Sequence, residues 1–285
     1  MGILSQLILN SLIAGAVYTL MALGFNLIYS VTRFFNLAHG VAAAAGGYAV
    51  FYLTHVIGLN VYAGAVLGMV SAGILGYGFD TLVFLRLRRK KTSGMVLLVA
   101  SLGILTSVQA AIAILFTNEF QTFSADQTIH TVLGGSITSI QAVTVAFSVI
   151  ITLILAVILR KTMFGKAVNA ISDDVEVARI VGINSDRITG QVFFIGSAIA
   201  GLAGILTGFD TGLEPSMGMG LLLKGVIACI IGGMGNVYGG AAGSMVLGFA
   251  ENFGIWKIPG QWKDAISFVI LVAFLLLRPQ GILKK

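Results

Sequence analysis

Long hydrophobic segments separated by short polar ones make up most of the sequence. Each apolar run extends over about 20 residues, the length that an α-helix needs to cross a bilayer, whereas a transmembrane strand would be a shorter segment of alternating character. Because a spanning segment must satisfy its own backbone hydrogen bonds in lipid, the pattern predicts an all-α integral membrane protein, a polytopic helical bundle. The predicted helices cover residues 5–29, 37–57, 61–85, 95–116, 139–159, 189–209, 217–233, 239–255 and 264–277.

Two of these segments contain glycine-rich polar stretches that interrupt the hydrophobic pattern. The stretches cover residues 36–47 and 217–235, and transport proteins use such interruptions as broken or re-entrant helices at the depth of the ligand. We therefore expect nine transmembrane helices, with eight as the alternative. The first segment lacks a basic leader and is longer than the apolar core of a signal peptide, so we expect it to be retained as a span.

The composition excludes an ordinary water-soluble domain. Hydrophobic residues make up 57% and charged residues 10% of the chain, whereas soluble domains carry about 25% charged residues. The 37 glycines suit close packing of membrane helices, and a single cysteine, Cys229, excludes an internal disulfide and a cysteine-based metal site.

The basic residues indicate orientation and not nucleic-acid binding. The chain has a formal net charge of +6, but its lysines and arginines concentrate at residues 86–91, 160–187 and 278–285, between or after hydrophobic segments. The positive-inside rule assigns these clusters to the cytoplasm. The connection that holds Glu119, Asp126 and His130 contains no lysine or arginine and is expected outside. The N-terminus is then outside and the C-terminus inside, and residues 1–285 form a single membrane domain.

The longest cytoplasmic connection, from Arg160 to Arg187, is predicted to contain a short helix. Asp173 and Glu176 have the spacing of an N-cap and the third helical residue of a capping box, and Gly182 suits the position after the helix. An apolar stripe on such a helix favours docking to a cytoplasmic protein, with a helix resting on lipid headgroups as the alternative. The stripe consists of Ile171, Val175, Ala178 and Val181.

Several motifs, in order along the chain, resemble the LivH-like permease subunit of the branched-chain amino acid ABC importer family. They begin with residues 24–29 (GFNLIY) and 36–40 (NLAHG), and continue with 165–167 (GKA) and with Asp174, Ala178 and Gly182 in the cytoplasmic connection. The remaining motifs are 200–204 (AGLAG), 231–236 (IGGMGN) and 278–281 (RPQG). The resemblance covers nearly the whole chain.

The resemblance implies a multi-pass subunit of the bacterial inner membrane, so the N-terminus that the basic clusters place outside would lie in the periplasm. The implied partners are a second, LivM-like permease subunit, two cytoplasmic ATPase subunits that bind ATP and Mg²⁺, and a periplasmic substrate-binding protein. The cytoplasmic helix would be the coupling helix, with Asp173, Asp174, Val175, Ala178 and Gly182 as its coupling residues. Related permeases carry urea, short amides or other amino acids, which leaves the substrate open. The chain itself lacks a phosphate-binding loop, because Gly165 and Lys166 are followed by alanine, so no cofactor is expected on it.

Polar residues within the hydrophobic segments are candidates for the substrate pathway. In the resembling family the segment with Asn36 and His39 borders the pathway, and Asn26 lies in the preceding motif; a structural hydrogen-bonding role is the alternative for His39. Lys224 and Glu251 are costly to bury, at about 2.5–3.5 kcal/mol for a charge at the bilayer centre. They are expected to pair with each other or with a zwitterionic substrate, or to reach the membrane interface. Asp210 and Glu214 are expected at a solvated outer rim.

Small residues that repeat every four positions predict close helix packing. One row consists of Gly235, Gly239 and Gly243, and a second consists of Gly240, Ser244 and Gly248; Gly204 and Gly208 predict a further contact. Lining of a pore is the alternative role.

The sequence favours an ATP-driven importer of leucine, isoleucine and valine. An autonomous secondary transporter or channel for small polar solutes is the alternative. A membrane enzyme is the weakest hypothesis, since the segments contain no Ser/His/Asp, paired-carboxylate or HExxH constellation, and no metal site is expected at His39.

Overall fold

The computed structural model describes residues 2–123, 128–132, 134–278 and 280–283. Asp126, Pro279, Lys284 and Lys285 lie outside the described residues. The helices are α1 (Ile3–Thr32), α2 (Ala38–His55), α3 (Val61–Phe79), which continues through a π-helical turn (Asp80–Phe84) into α4 (Leu85–Arg89), α5 (Gly94–Phe116), α6 (Ser139–Lys161), α7 (Met163–Asp173), α8 (Val175–Ile180), α9 (Ser185–Thr211), α10 (Met217–Gly232), α11 (Val237–Gly254) and α12 (Lys263–Leu277). Two strands, β1 (Ile129–Val132) and β2 (Gly135–Thr138), form an antiparallel hairpin, and a 3₁₀ turn covers Gly260–Trp262.

All nine predicted hydrophobic segments are helical, which confirms the fold class. Six helices in the described part of the chain are long and apolar enough to cross a membrane. Helices α10 and α11 are together also long and apolar enough to cross, and the chain bends by 110° between them. Helix α2 is not among the six; it is mostly buried within the bundle and does not need an apolar lipid-facing surface.

The two predicted interruptions have different outcomes. The chain breaks between α10 and α11, where Gly233 and Gly235 adopt positive φ values of 117° and 79°. The stretch 36–47 is not interrupted within the helix: Asn36 lies in the turn before α2, which is continuous from Ala38. Its glycines permit close packing, since a Cβ on Gly46 would lie only 2.7 Å from the Cα of Gly201 on α9.

Helices α1 and α9 form the centre of the bundle. In the most apolar 18 residues of each helix, 78% of the residues are buried in α9 and 61% in α1, against 6% in the segment Gly260–Leu277, which contains α12. Helix α1 packs on α9, α10 and α11, and α9 packs on α2 and α3. The outer helices α5, α6 and α12 expose large aliphatic side chains, as expected of surfaces that contact lipid.

The β-hairpin and the connection with α7 and α8 lie at opposite ends of α6. The hairpin was not predicted from the sequence; Gln6 of α1 holds it, accepting a hydrogen bond from Ser136 N at 2.8 Å. A capping box of Thr138 and Gln141 begins α6, and Arg160 and Lys161 end it. We call these two ends of the bundle the hairpin end and the α7–α8 end.

Candidate functional site

Lys224 and Glu251 form a buried ion pair between α10 and α11. The Nζ atom of Lys224 lies 2.6 Å from Oε1 of Glu251, whose side chain is fully buried. Tyr18 of α1 donates its hydroxyl hydrogen to Oε2 of Glu251 at 2.7 Å. Ser267 of α12 contacts both members of the pair, and Asp264 lies 2.8 Å from Lys224. The cluster therefore joins four helices.

The charges of this cluster compensate one another. Lys263 lies 3.7 Å from Oε2 of Glu251, so two cations, Lys224 and Lys263, face two anions, Glu251 and Asp264. Of the alternatives left open by the sequence, the structure contains the mutual pair. Tyr18, Ser267 and Lys263 were not expected in it, because they are distant in sequence and their segments lack a distinguishing motif. The arrangement stabilises the packing of α1, α10, α11 and α12.

The break between α10 and α11 is held by Asn26 of α1. The side-chain amide of Asn26 donates to Asn236 O at 2.9 Å and accepts from Gly235 N at 2.9 Å. Asn236 in turn caps α11, accepting from the backbone N–H groups of Tyr238 and Gly239. Asn26 is fully buried, so its contacts are with the backbone of the break.

The break also contacts the C-terminal segment, and α1 reaches from the break to the α7–α8 end. The C-terminal segment donates from Ile282 N and Leu283 N to the last carbonyl groups of α10, at 2.9 and 3.0 Å. Arg33, at the end of α1, donates to Ser172 O near the end of α7 at 2.7 Å. Helix α1 thus contacts both the break and the connection that contains α7.

Helix α8, which corresponds to the short helix predicted between Arg160 and Arg187, begins one residue later than predicted. Asp173 is the last residue of α7, and Asp174 is the N-cap of α8, accepting from Glu176 N at 2.7 Å and Val177 N at 3.1 Å. The prediction of Asp173 as N-cap was wrong because the preceding residues, 163–173, form a helix of their own. Gly182 follows α8 with a φ of 87°, as its proposed position requires.

The predicted apolar stripe does not form one exposed face. Ala178 is 1% exposed and Ile171, on α7, is 2% exposed, and Val175 is half-buried against the core. The exposed apolar residues are Val177, Ile180 and Val181. The prediction of one exposed apolar stripe was wrong because the contacts of α8 with α7 and α9 set the orientation of the helix. The exposed surface of Val177, Ile180 and Val181, which we call the α8 apolar face, is what a partner can reach.

Ion pairs hold this end of the bundle together. Asp186 of α9 lies 3.1 Å from Arg89 and 3.4 Å from Arg179. Arg88 lies 2.6 Å from the buried carboxylate of Asp80. Asp80 was not predicted as a site residue from the sequence, although an acid within a hydrophobic segment is the same signal that identified Glu251.

The other predicted residues are dispersed. His39, in the first turn of α2, and Asn36, in the turn before it, are both buried. His39 lies against Gly24 and the ring of Phe25 and does not belong to the Lys224–Glu251 cluster. Glu214 is exposed and accepts from Ser216 Oγ at 2.9 Å. Asp210 is partly buried and accepts from Gln141 Nε2 at 3.1 Å, so it is not a fully solvated rim residue.

The glycine rows lie against neighbouring backbones. A Cβ on Gly204 would overlap Ala43 of α2, and one on Gly239 or Gly243 would overlap carbonyl groups of α10. In the second row, Gly248 faces α1. Gly208 contacts the side chain of Leu213, which lies outside a helix. Gly235 precedes α11 and therefore does not belong to the packing face of that helix. A glycine is favoured at this position because the backbone at the break has a positive φ.

The comparisons with known proteins agree with the resemblance in the sequence. The family model described as "Branched-chain amino acid transport system / permease component" matches residues 7–275. The chain is 28% identical to the high-affinity branched-chain amino acid transport system permease protein LivH of Salmonella typhimurium, over 98% of this chain and 94% of that protein. It is also 28% identical to the high-affinity branched-chain amino acid transport system permease protein BraD of Pseudomonas aeruginosa, over 98% of this chain and 95% of that protein.

The fold is similar to that of a solved structure. "PsaBC from Streptococcus pneumoniae in complex with Fab" contains a chain with a TM-score of 0.54 and 14% sequence identity, covering 95% of this chain and 91% of that one. The identity is low, so this likeness concerns the fold alone. The family match extends over nearly the whole sequence, and the chain therefore belongs to the family of branched-chain amino acid transport system permease components.

Proposed function

We propose that this chain is the membrane-spanning permease subunit of an ATP-driven importer that moves leucine, isoleucine and valine into the cytoplasm. The observation that carries the proposal is the family match over residues 7–275, together with relatives named as branched-chain amino acid permeases that align with 98% of the chain. The chain is a translocation subunit and not an enzyme. The autonomous transporter or channel is not favoured, since nearly full-length relatives are permease components of transport systems.

The partners in this proposal are a LivM-like permease subunit, two ATPase subunits that bind ATP and Mg²⁺, and a periplasmic substrate-binding protein. The α8 apolar face would contact an ATPase subunit. Exposed Val177, Ile180 and Val181 lie on a capped helix outside the hydrophobic segments, and an exposed apolar patch marks a contact surface. The buried Ala178 and the cap of Asp174 hold that helix in shape.

The proposed orientation places the α7–α8 end in the cytoplasm of the bacterial cell, with the N-terminus in the periplasm. Basic residues support it: Arg160, Lys161 and Arg86 lie at that end, whereas the described part of the hairpin connection, 117–123, 128–132 and 134–138, contains no lysine or arginine. Cysteines at Gln121 and Lys90 test the orientation, because a membrane-impermeant reagent added outside should label the first and not the second.

Contacts between helices connect α8 to Glu251, at the hairpin end of the bundle, and would transmit a movement of α8 there. The salt bridges of Asp186 join α8 to α4 and α9, and Arg33 joins α7 to α1. Asn26 of α1 holds the break before α11, and the other end of α11 carries Glu251. We propose that α1 and α11 transmit the ATPase cycle from one end of the bundle to the other.

Copurification tests the composition of the transporter. Expressed with the genes of the proposed partners, the tagged chain should retain the ATPase and the second permease subunit. A chain that purifies without any ATPase, under conditions that keep it folded, would contradict the assignment.

A further inference from the structure

A cavity at the hairpin end lies beside the Lys224–Glu251 cluster and is lined by five helices and the start of α12. Its volume is about 360 Å³, within the roughly 300–1,000 Å³ typical of small-molecule sites. Its polar lining includes Asp210, Thr207, Gln141 and Lys263. Its apolar lining consists of Ile13, Ala14, Val17, Leu206 and Leu221.

Among the residues that the structure describes, the carboxyl group of Asp210 has no cationic partner in this cavity. It accepts one hydrogen bond, from Gln141, and no lysine or arginine in the described ranges lies within ion-pair distance of it. Thr207 lies three residues earlier, on the same side of α9. An ammonium group has three hydrogen atoms to donate, and the carboxylate of Asp210 and the hydroxyl oxygen of Thr207 can accept two of them.

Lys263 supplies a positive charge on the same lining. Its Nζ atom lies 3.7 Å from Glu251, and about a third of its side chain is exposed. Glu251 has a closer cation in Lys224, at 2.6 Å. Lys263 can therefore bind a second carboxylate without leaving Glu251 unpaired.

The distribution of charge and apolar surface matches one class of ligand. Here we propose, on the basis of the proposed function, that this cavity is a binding site for the zwitterionic form of an aliphatic α-amino acid. Asp210 and Thr207 bind the ammonium group, Lys263 binds the carboxylate, and the side chain contacts Ile13, Val17 and Leu206. In the proposed orientation the cavity is on the periplasmic side, where a substrate arrives from its binding protein.

Photolabelling during transport locates the site. The complete transporter, with its binding protein, is supplied with ATP and with photo-leucine, a diazirine analogue of leucine, and is irradiated and digested for mass spectrometry. Adducts should map to the apolar lining of the cavity, and excess leucine should suppress them. Leucine uptake without any adduct in the cavity would overturn this site and leave the proposed function standing. Absence of ATP-driven leucine uptake by the wild type would contradict the proposed function itself.

Charge-removing variants test the two ionic contacts. Asp210→Asn and Lys263→Met should each lower the adduct yield at subsaturating photo-leucine by roughly tenfold or more, because each removes a charge-assisted hydrogen bond. The matched controls Glu119→Gln and Lys257→Met change exposed residues near the same end that do not line the cavity, and they should leave labelling unchanged. Equal labelling in Asp210→Asn and wild type would overturn the proposal.

A zwitterionic lipid headgroup also carries an ammonium group and an anion. A second experiment distinguishes a bound lipid from a bound amino acid. In nanodiscs without phosphatidylethanolamine, leucine-suppressible labelling of the cavity should persist. Retention of phosphatidylethanolamine in native mass spectra, with adducts that excess leucine does not suppress, would assign the cavity to lipid and overturn the proposal.

Discussion

Asn26 on α1 forms hydrogen bonds to both sides of the break between α10 and α11, with its Oδ1 2.9 Å from the backbone N of Gly235. Its amide nitrogen lies 2.9 Å from the carbonyl oxygen of Asn236. The break has to expose backbone groups that a continuous helix would pair, and α1 supplies the missing partners within the bundle.

Replacing Asn26 should destabilise the protein. Asn26→Ala removes both the acceptor for Gly235 N and the donor to Asn236 O. Each buried group left unpaired costs about 1–3 kcal/mol, so the apparent Tm in detergent should fall well below that of the wild type. An Asn26→Ala protein with the Tm of the wild type would show that the break does not depend on α1.

The ion pair of Lys224 and Glu251 should behave as a unit. Glu251→Gln leaves Lys224 without its buried partner, and the loss of one member of a buried pair costs about 3–5 kcal/mol. The double variant Lys224→Met/Glu251→Gln should be less destabilised than the sum of the two single variants. Additive losses in a double-mutant cycle, measured from unfolding in detergent, would contradict a direct pair.

The α8 apolar face should be required for contact with the ATPase. Ile180→Asp places a charge on an exposed position, so the permease should fold normally while the amount of copurified ATPase and the rate of uptake fall together. Val56→Asp is a matched control, because Val56 is exposed at the opposite end of the bundle. Ala178→Asp should instead reduce folded yield, since Ala178 is buried. Full ATPase retention in Ile180→Asp would place the contact elsewhere.

Gly243 should tolerate no side chain. A Cβ there would overlap the carbonyl group of Ala228 on α10, whereas a Cβ on Gly103 of α5 would meet no atom within 4 Å. Gly243→Ala should therefore lower the apparent Tm, and Gly103→Ala should leave it unchanged or slightly raised, because alanine favours a helix by about 1 kcal/mol. Equal Tm values for the two variants would contradict close packing at Gly243.

The membrane helices could be predicted from the sequence because their signal is local. A run of apolar residues long enough to cross a bilayer has few alternatives to a helix, and glycines 233 and 235 indicated the break. The N-cap of α8 was misplaced because Asp173 and Asp174 are adjacent acids, and only the end of α7 distinguishes them.

Contacts between distant segments could not be predicted. Tyr18 and Glu251 are 233 residues apart, and no local pattern relates them. The exposed side of α8 likewise depends on which neighbours cover it, so the spacing of Val175 and Ala178 alone gave the wrong face. The cavity that contains Asp210 is lined by residues from six helices, and no motif in any of these helices indicates that it lines a cavity.

Uptake of radiolabelled leucine by proteoliposomes that contain the complete transporter is the decisive test of the proposed function. With the binding protein outside and ATP within, we expect leucine to accumulate against a gradient, and the accumulation should be lost when ATP or the ATPase subunits are left out. Leucine accumulation by this chain alone, unchanged without ATP and without partner subunits, would contradict the proposed function.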